Sequence, residues 1–165
     1  MHRRLEPISP ILLPADIDDI LENYEDILES YQNLQEKISI YGSYKRTNRK
    51  LDVLFPFKEH PVHGITGIHA TEKYEKNSYV REYHYQWKRI IPKEGIMFSH
   101  ISAWENEPHD APNTPAEYLV VTEPHHHHHV PGKRKQRQAN YNIRTLESVF
   151  EFVAHYIRTG KEYKP

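Results

Sequence analysis

From Asp16 to Lys37 the apolar residues Ile17, Ile20, Leu21, Tyr24, Ile27, Leu28, Tyr31 and Leu34 recur at spacings of three and four. That period lays them along one face of an α-helix and leaves an acidic face opposite. Pro14 precedes the pattern and Asp16 is the candidate N-cap, so a helix is expected over 15–37 after an extended segment over 1–14. From Lys37 the texture changes to short β-rich runs punctuated by Gly, Pro and Asn: Ile38 to Tyr44, Leu51 to Phe55, Thr66 to Tyr74, Val80 to Ile91 and Ile96 to Trp104, with another candidate through Tyr118 to Thr122. The pattern reads as an antiparallel meander over 38–122. Within the Val80 run, Tyr79, Arg81, Tyr83, Tyr85, Trp87 and Arg89 share one parity, while Val80, Glu82, His84, Gln86 and Lys88 share the other. The first set predicts an aromatic core face and the second an exposed polar one, although Tyr83, Tyr85 and Trp87 are also of the type that stacks on unpaired bases.

Near the C-terminus Leu146, Val149, Phe150, Val153, Tyr156 and Ile157 give a second amphipathic helix over 145–158, with Thr145 as candidate N-cap and Gly160 as its stop. A His-rich and basic stretch over 123–137 reads as a loop. Helix, strands and helix without helical crossovers define an α+β fold: one antiparallel sheet of about five to six strands flanked by an N-terminal and a C-terminal helix. At 165 residues the whole chain, 1–165, is expected to form a single domain.

The chain has no cysteine, which excludes disulfides, thiolate zinc sites and cysteine nucleophiles. No apolar run approaches the roughly 20 residues needed to cross a bilayer, so no membrane span or signal peptide is expected, and the lack of cysteine fits a reducing, cytoplasmic location. The 22 Lys+Arg and 23 Asp+Glu nearly cancel, but unevenly. Residues 1–40 hold 9 acids and 3 bases, and residues 41–165 hold 14 acids and 19 bases, so the later part of the chain would attract a polyanion.

The chemistry-bearing residues lie between Tyr79 and Arg137. Five consecutive histidines, His125 to His129, would alternate if extended, with His125, His127 and His129 on one side and His126 and His128 on the other. Neutral imidazole ligates Zn²⁺, Ni²⁺ and Cu²⁺, so His125, His127 and His129 are an alternative metal set, though the H-E-x-x-H spacing is absent. Two histidines in opposite protonation states are sufficient for acid–base cleavage of RNA, one taking the 2′-OH proton and the other protonating the leaving 5′-oxygen. His109, in a proline-flanked turn, is a candidate for one of these roles or a turn residue bonded to backbone. Glu105 is a candidate to orient a histidine and Asn106 to stabilise an oxyanion, with a solvated charge and ordinary turn chemistry as their plainer readings. Lys133, Arg134, Lys135 and Arg137 put four cations in five residues, and with His84 and Lys88 they are the candidate phosphate contacts.

Tyr83-His84-Tyr85-Gln86, then Trp104-Glu105-Asn106-Glu107-Pro108-His109, then Pro124 and the histidine run closing at His129-Val130 before an apolar helix, resembles the TumE family of toxins from toxin–antitoxin systems. The resemblance spans roughly residues 79–157. It implies a small toxin acting on RNA, a cognate DNA-binding antitoxin as partner, and no cofactor, with a homodimer left open. Carried over residue by residue, it places the catalytic histidines at His109 and at His126 or His129, supported by Glu105 and Asn106. Glu105 replaces the family's Asp, Asp110 replaces its second His, and the histidine run is one residue longer. The expectation is a metal-independent ribonuclease. A non-catalytic RNA- or protein-binding growth inhibitor and a metal-dependent nuclease are the alternatives.

Overall fold

The computed structural model describes residues 12–29, 44–91, 95–106, 127–130, 133–139 and 143–164. Seven strands form one antiparallel meander in chain order: β1 Tyr44–Arg46, β2 Lys50–Pro56, β3 Thr66–Tyr74, β4 Val80–Ile91, β5 Gly95–Glu105, β6 His127–Val130 and β7 Lys133–Ala139. Among the described residues two helices, α1 (Ile17–Asn23) and α2 (Leu146–Thr159), complete an α+β fold. Neither helix is long and apolar enough to cross a membrane.

The stretch over 123–137, expected as a loop, instead supplies β6 and most of β7, which form a hairpin on the β5 edge. Lys133 to Ala139 shows no apolar alternation, and its strand state comes from backbone pairing with β6, such as His128 with Gln138. The expected strand through Tyr118 to Thr122 lies outside the described residues. So do residues 38–43, and β1 begins at Tyr44.

Helix α1 is much shorter than the 15–37 expected. Asp16 caps it, accepting from the Asp19 N–H at 3.0 Å, and Ile17 and Ile20 are buried. After Tyr24 the chain turns, because its backbone has better partners on the sheet. The Ile27 carbonyl accepts from the Lys58 N–H at 2.9 Å, the Glu29 N–H donates to the Pro56 carbonyl at 2.9 Å, and Leu28 bridges to Phe57. Tyr31 and Leu34 lie outside the described residues.

Helix α2 follows its sequence signals closely. Thr145 and Ser148 form a capping box, and Gly160 closes the helix in the left-handed region at φ 71°. Leu146, Val149, Phe150, Val153 and Ala154 are buried against the sheet, where Phe150 meets Phe55 edge-on with centroids 4.9 Å apart. The sheet face beneath α2 carries Leu51, Val53, Phe55, Tyr83, Tyr85, Trp87 and Trp104, all fully or almost fully buried. Tyr83, Tyr85 and Trp87 are therefore core, and base stacking is not available to them. Val80 joins that core despite its parity, because a bulge between the β3 and β4 registers pairs it with Tyr74 and leaves Arg81 as the extra residue.

Gly67 on β3 is fixed by contact. A Cβ there would stand 2.7 Å from the Phe55 carbonyl and 2.7 Å from Ile90 Cδ1, so the β2–β3–β4 layer closes only around glycine.

Candidate acid–base site on the polar sheet face

Because strand side chains alternate, the residues between the aromatic positions of β4 form the opposite face. The register aligns them in rows. One row runs Asp52, Thr71, His84, Glu105, His127 and Ala139 across β2 to β7, and the next runs Leu54, His69, Gln86, Ala103, His129 and Arg137. Four histidines and two carboxylates thus share two adjacent rows of one face. His84, Gln86 and Lys88, expected to be exposed, are half-buried.

The centre of the first row is a histidine–carboxylate contact, His84 Nε2 to Glu105 Oε2 at 3.3 Å. The glutamate side chain is only 5% exposed and the imidazole 37% exposed, so a buried carboxylate backs a ring that solvent or a ligand can reach. A carboxylate in that position fixes the tautomer and orientation of the ring and stabilises the imidazolium formed when the ring takes a proton. The Gln86 amide lies against the same ring, 3.2 Å from Nδ1. In front of the pair is a cavity of about 190 Å³ lined by Thr71, Lys73, Glu82, Tyr83, His84 and Glu105. Burial raises the Tyr83 phenol well above its ordinary pKa, with Glu105 adding to the rise and Arg144 opposing it, so this hydroxyl stays protonated at neutral pH.

A second histidine–carboxylate pair stands on the same face, His69 Nε2 to Asp52 Oδ1 at 2.9 Å, with side-chain exposures of 30% and 38%. The sequence reading singled out neither residue. The alternation of β3, with His69, Thr71 and Lys73 on one parity, was the available signal.

The residues anticipated from sequence separate into three groups. Glu105, anticipated to orient a histidine, lies against His84, anticipated as a phosphate contact. Asn106 spends its amide on the backbone: Oδ1 accepts from the Tyr83 N–H at 2.8 Å and Nδ2 donates to the Arg81 carbonyl at 3.0 Å. It is a brace joining the end of β5 to the start of β4 rather than an oxyanion donor. His109, His125 and His126 lie outside the described residues. His127 and His129 are on β6, opposite Glu105 and Ala103, and Lys133, Arg134, Lys135 and Arg137 are on β7 rather than in a loop. Lys88 pairs in register with His100, on the same face as His84 and toward the far end of β4.

Among the described side chains no group of three His, Cys, Asp or Glu is placed to hold a metal ion. No family model, curated protein or solved structure matches the chain.

Proposed function

We propose that the polar face of the sheet is an acid–base site that cleaves RNA without a metal, as the resemblance to TumE toxins implies. One observation carries the reading: a half-exposed histidine, His84, rests on a buried carboxylate, Glu105, and the register stations His127 on the other side of that carboxylate. Two imidazole-bearing residues across one glutamate have the composition that RNA transesterification needs.

In this scheme the His84 imidazole takes the proton of a 2′-OH while Glu105 steadies the imidazolium. The 2′-oxygen attacks phosphorus. The 5′-oxygen departs with a proton from the imidazolium of His127, leaving a 2′,3′-cyclic phosphate on one fragment and a 5′-hydroxyl on the other. Lys73, which lines the same cavity, supplies positive charge toward the phosphorane. The proposed pair, His84 and His127, is the one that the described register brings to Glu105; of the histidines expected to be catalytic, His109 and His126 lie outside the described residues and His129 stands one row away.

The test is incubation of 5′-labelled single-stranded RNA with the protein in EDTA, beside its all-deoxy counterpart. Cleavage of RNA alone, ending in cyclic phosphate and reduced at least about 100-fold by His84→Ala, is the expected result for loss of an acid–base group. Undiminished cleavage by the His84→Ala protein would overturn the assignment. The row of two histidines and one glutamate is also a recognised divalent-metal donor set. Cleavage absent in EDTA and restored by one particular divalent ion would select that second reading.

A further inference from the structure

Beyond the dyad, a second concavity lies at the end of the sheet where the β1–β2 and β3–β4 hairpins turn. Its volume is about 720 Å³, and its lining includes Arg49, Lys50, Lys73, Lys76 and Arg81 with one carboxylate, Glu75. The walls are fixed: the Tyr74 N–H donates to the Arg49 carbonyl at 2.8 Å, joining the two hairpins, and Thr47 Oγ1 accepts from the Arg49 and Lys50 N–H groups at 3.1 Å each. Asn106 holds the Arg81 carbonyl from the other side.

Two features of this cleft are unfavourable in the isolated protein. Lys50 and Lys73 are direct cross-strand partners, and like charges in that relation destabilise a sheet. Of the five cations only Lys73 has an ion-pair partner among the described residues, Glu82 at 3.3 Å. Four cations without an ion-pair partner among the described residues, gathered in one cleft, are the arrangement that a polyanion relieves. Lys73 also lines the 190 Å³ cavity at His84, so the cleft and the dyad adjoin along β3 and β4.

We infer that this hairpin-end cleft is a binding site for the phosphodiester backbone of unpaired RNA, delivering the strand to the His84–Glu105 pair. The inference rests on the RNA reading of that pair and adds a phosphate site to those expected at Lys133, Arg134, Lys135, Arg137, His84 and Lys88. Single-stranded RNA suits it because a base must leave its stack for the backbone to reach a half-buried imidazole. Five of the nine residues lining the cleft are cationic, so phosphate contacts are expected to dominate its grip and sequence to matter little.

The experiment is fluorescence anisotropy with a 5′-labelled single-stranded RNA over a salt series, in EDTA. It compares the wild type, Arg49→Ala/Lys76→Ala/Arg81→Ala, and the single reversal Lys76→Glu. All three positions are exposed, so the fold is retained, and the single variant covers the case in which the triple is impaired. The triple variant is expected to bind at least about 10-fold more weakly. Its slope of log K against log salt should be shallower by about 2, since each lost single-strand phosphate contact contributes about 0.7. Wild-type affinity and slope in both variants would overturn the cleft while leaving the dyad's cleavage assay untouched. A wild type that neither binds nor cuts RNA would overturn both. Displacement of the RNA by poly-glutamate at equal charge concentration would also overturn phosphate recognition, pointing instead to an acidic protein segment as the occupant.

Discussion

Two glutamates on the strands that flank β4 are both buried, Glu72 on β3 at 1% exposure and Glu105 on β5 at 4%, yet they lie on opposite faces of the sheet and have different company. Glu72 faces the core. Its carboxylate accepts from the Tyr85 hydroxyl, from the Tyr74 hydroxyl at 2.8 Å and from the Ala15 N–H at 3.1 Å. Those donors hold their protons: burial, with Glu72 itself adding to the effect, drives both phenols far above their usual pKa. Glu105 faces the polar side and touches an imidazole, a group that exchanges protons near neutral pH and is partly open to solvent. A buried carboxylate surrounded by non-titrating donors is a structural staple, whereas one that backs an accessible imidazole is equipped for proton transfer.

The sharpest way to break this comparison is to remove one partner from each glutamate. His84→Ala is expected to lower RNA cleavage by about 10² to 10⁴, the usual range for an acid–base group, measured at full occupancy of the folded state because the variant also takes the imidazole from the buried Glu105 carboxylate. Tyr85→Phe should act on stability instead. It strips a donor from Glu72 in the core, which costs about 1–3 kcal/mol of stability by denaturant titration and leaves the cleavage rate of the folded protein unchanged. Loss of cleavage in the tyrosine variant at full occupancy of the folded state would show that the two faces are coupled.

What the sequence revealed of these two sites follows from the range of the forces involved. The faces were legible, because alternation is local: Tyr83, Tyr85 and Trp87 went inward, and His84, Gln86 and Lys88 took the other side. Helix α2 was legible for the same reason, its caps at Thr145 and Gly160 acting within one turn. The partner of His84 was not, since the pairing of His84 with Glu105 depends on the β4–β5 register across twenty residues, including a bulge near Lys88. The end of α1 was hidden likewise. The apolar period continues through Ile27 and Leu28, but backbone bonds from Ile27 and Glu29 to the 56–58 segment outweigh local helix propensity. At β7 the sequence KRKQRQA carries charge without alternation, so only its pairing with β6 identifies it as a strand.

A third histidine tests whether titration on the core side behaves differently from titration at the dyad. His63 is buried, accepts through Nε2 from the Tyr163 N–H at 3.0 Å, and packs edge-on to Trp87. Burial, reinforced by His60, lowers its pKa below 6.5. A depressed histidine is neutral in the folded state where the unfolded chain would already be protonated. Its stabilising contribution is therefore complete above pH 6.5 and is lost as pH falls through its folded value. Thermal unfolding from pH 7.5 to 5 should show an acid-side decline that His63→Gln flattens. An unchanged decline in that variant would assign the acid sensitivity to other groups.

The smallest expected effect concerns the link between the N-terminal segment and α2, outside both glutamate sites. Arg158 binds Asp26 with two hydrogen bonds, Nε to Oδ2 at 2.8 Å and Nη2 to Oδ1 at 2.9 Å, and lies over the Tyr24 ring at 5.6 Å. The arginine hydrogen bond holds the Asp26 carboxyl below its ordinary pKa, yet both side chains are about half-exposed, where solvent screens most of the attraction. Arg158→Ala is accordingly expected to cost about 0.5 kcal/mol in low salt and less at high salt. Because the depressed carboxyl contributes only while ionised, the difference between wild type and variant should fade as pH falls below about 4. A loss several times larger, insensitive to salt and pH, would mean that the arginine stem packing on Tyr24 holds the segment, and that the charge pair does not.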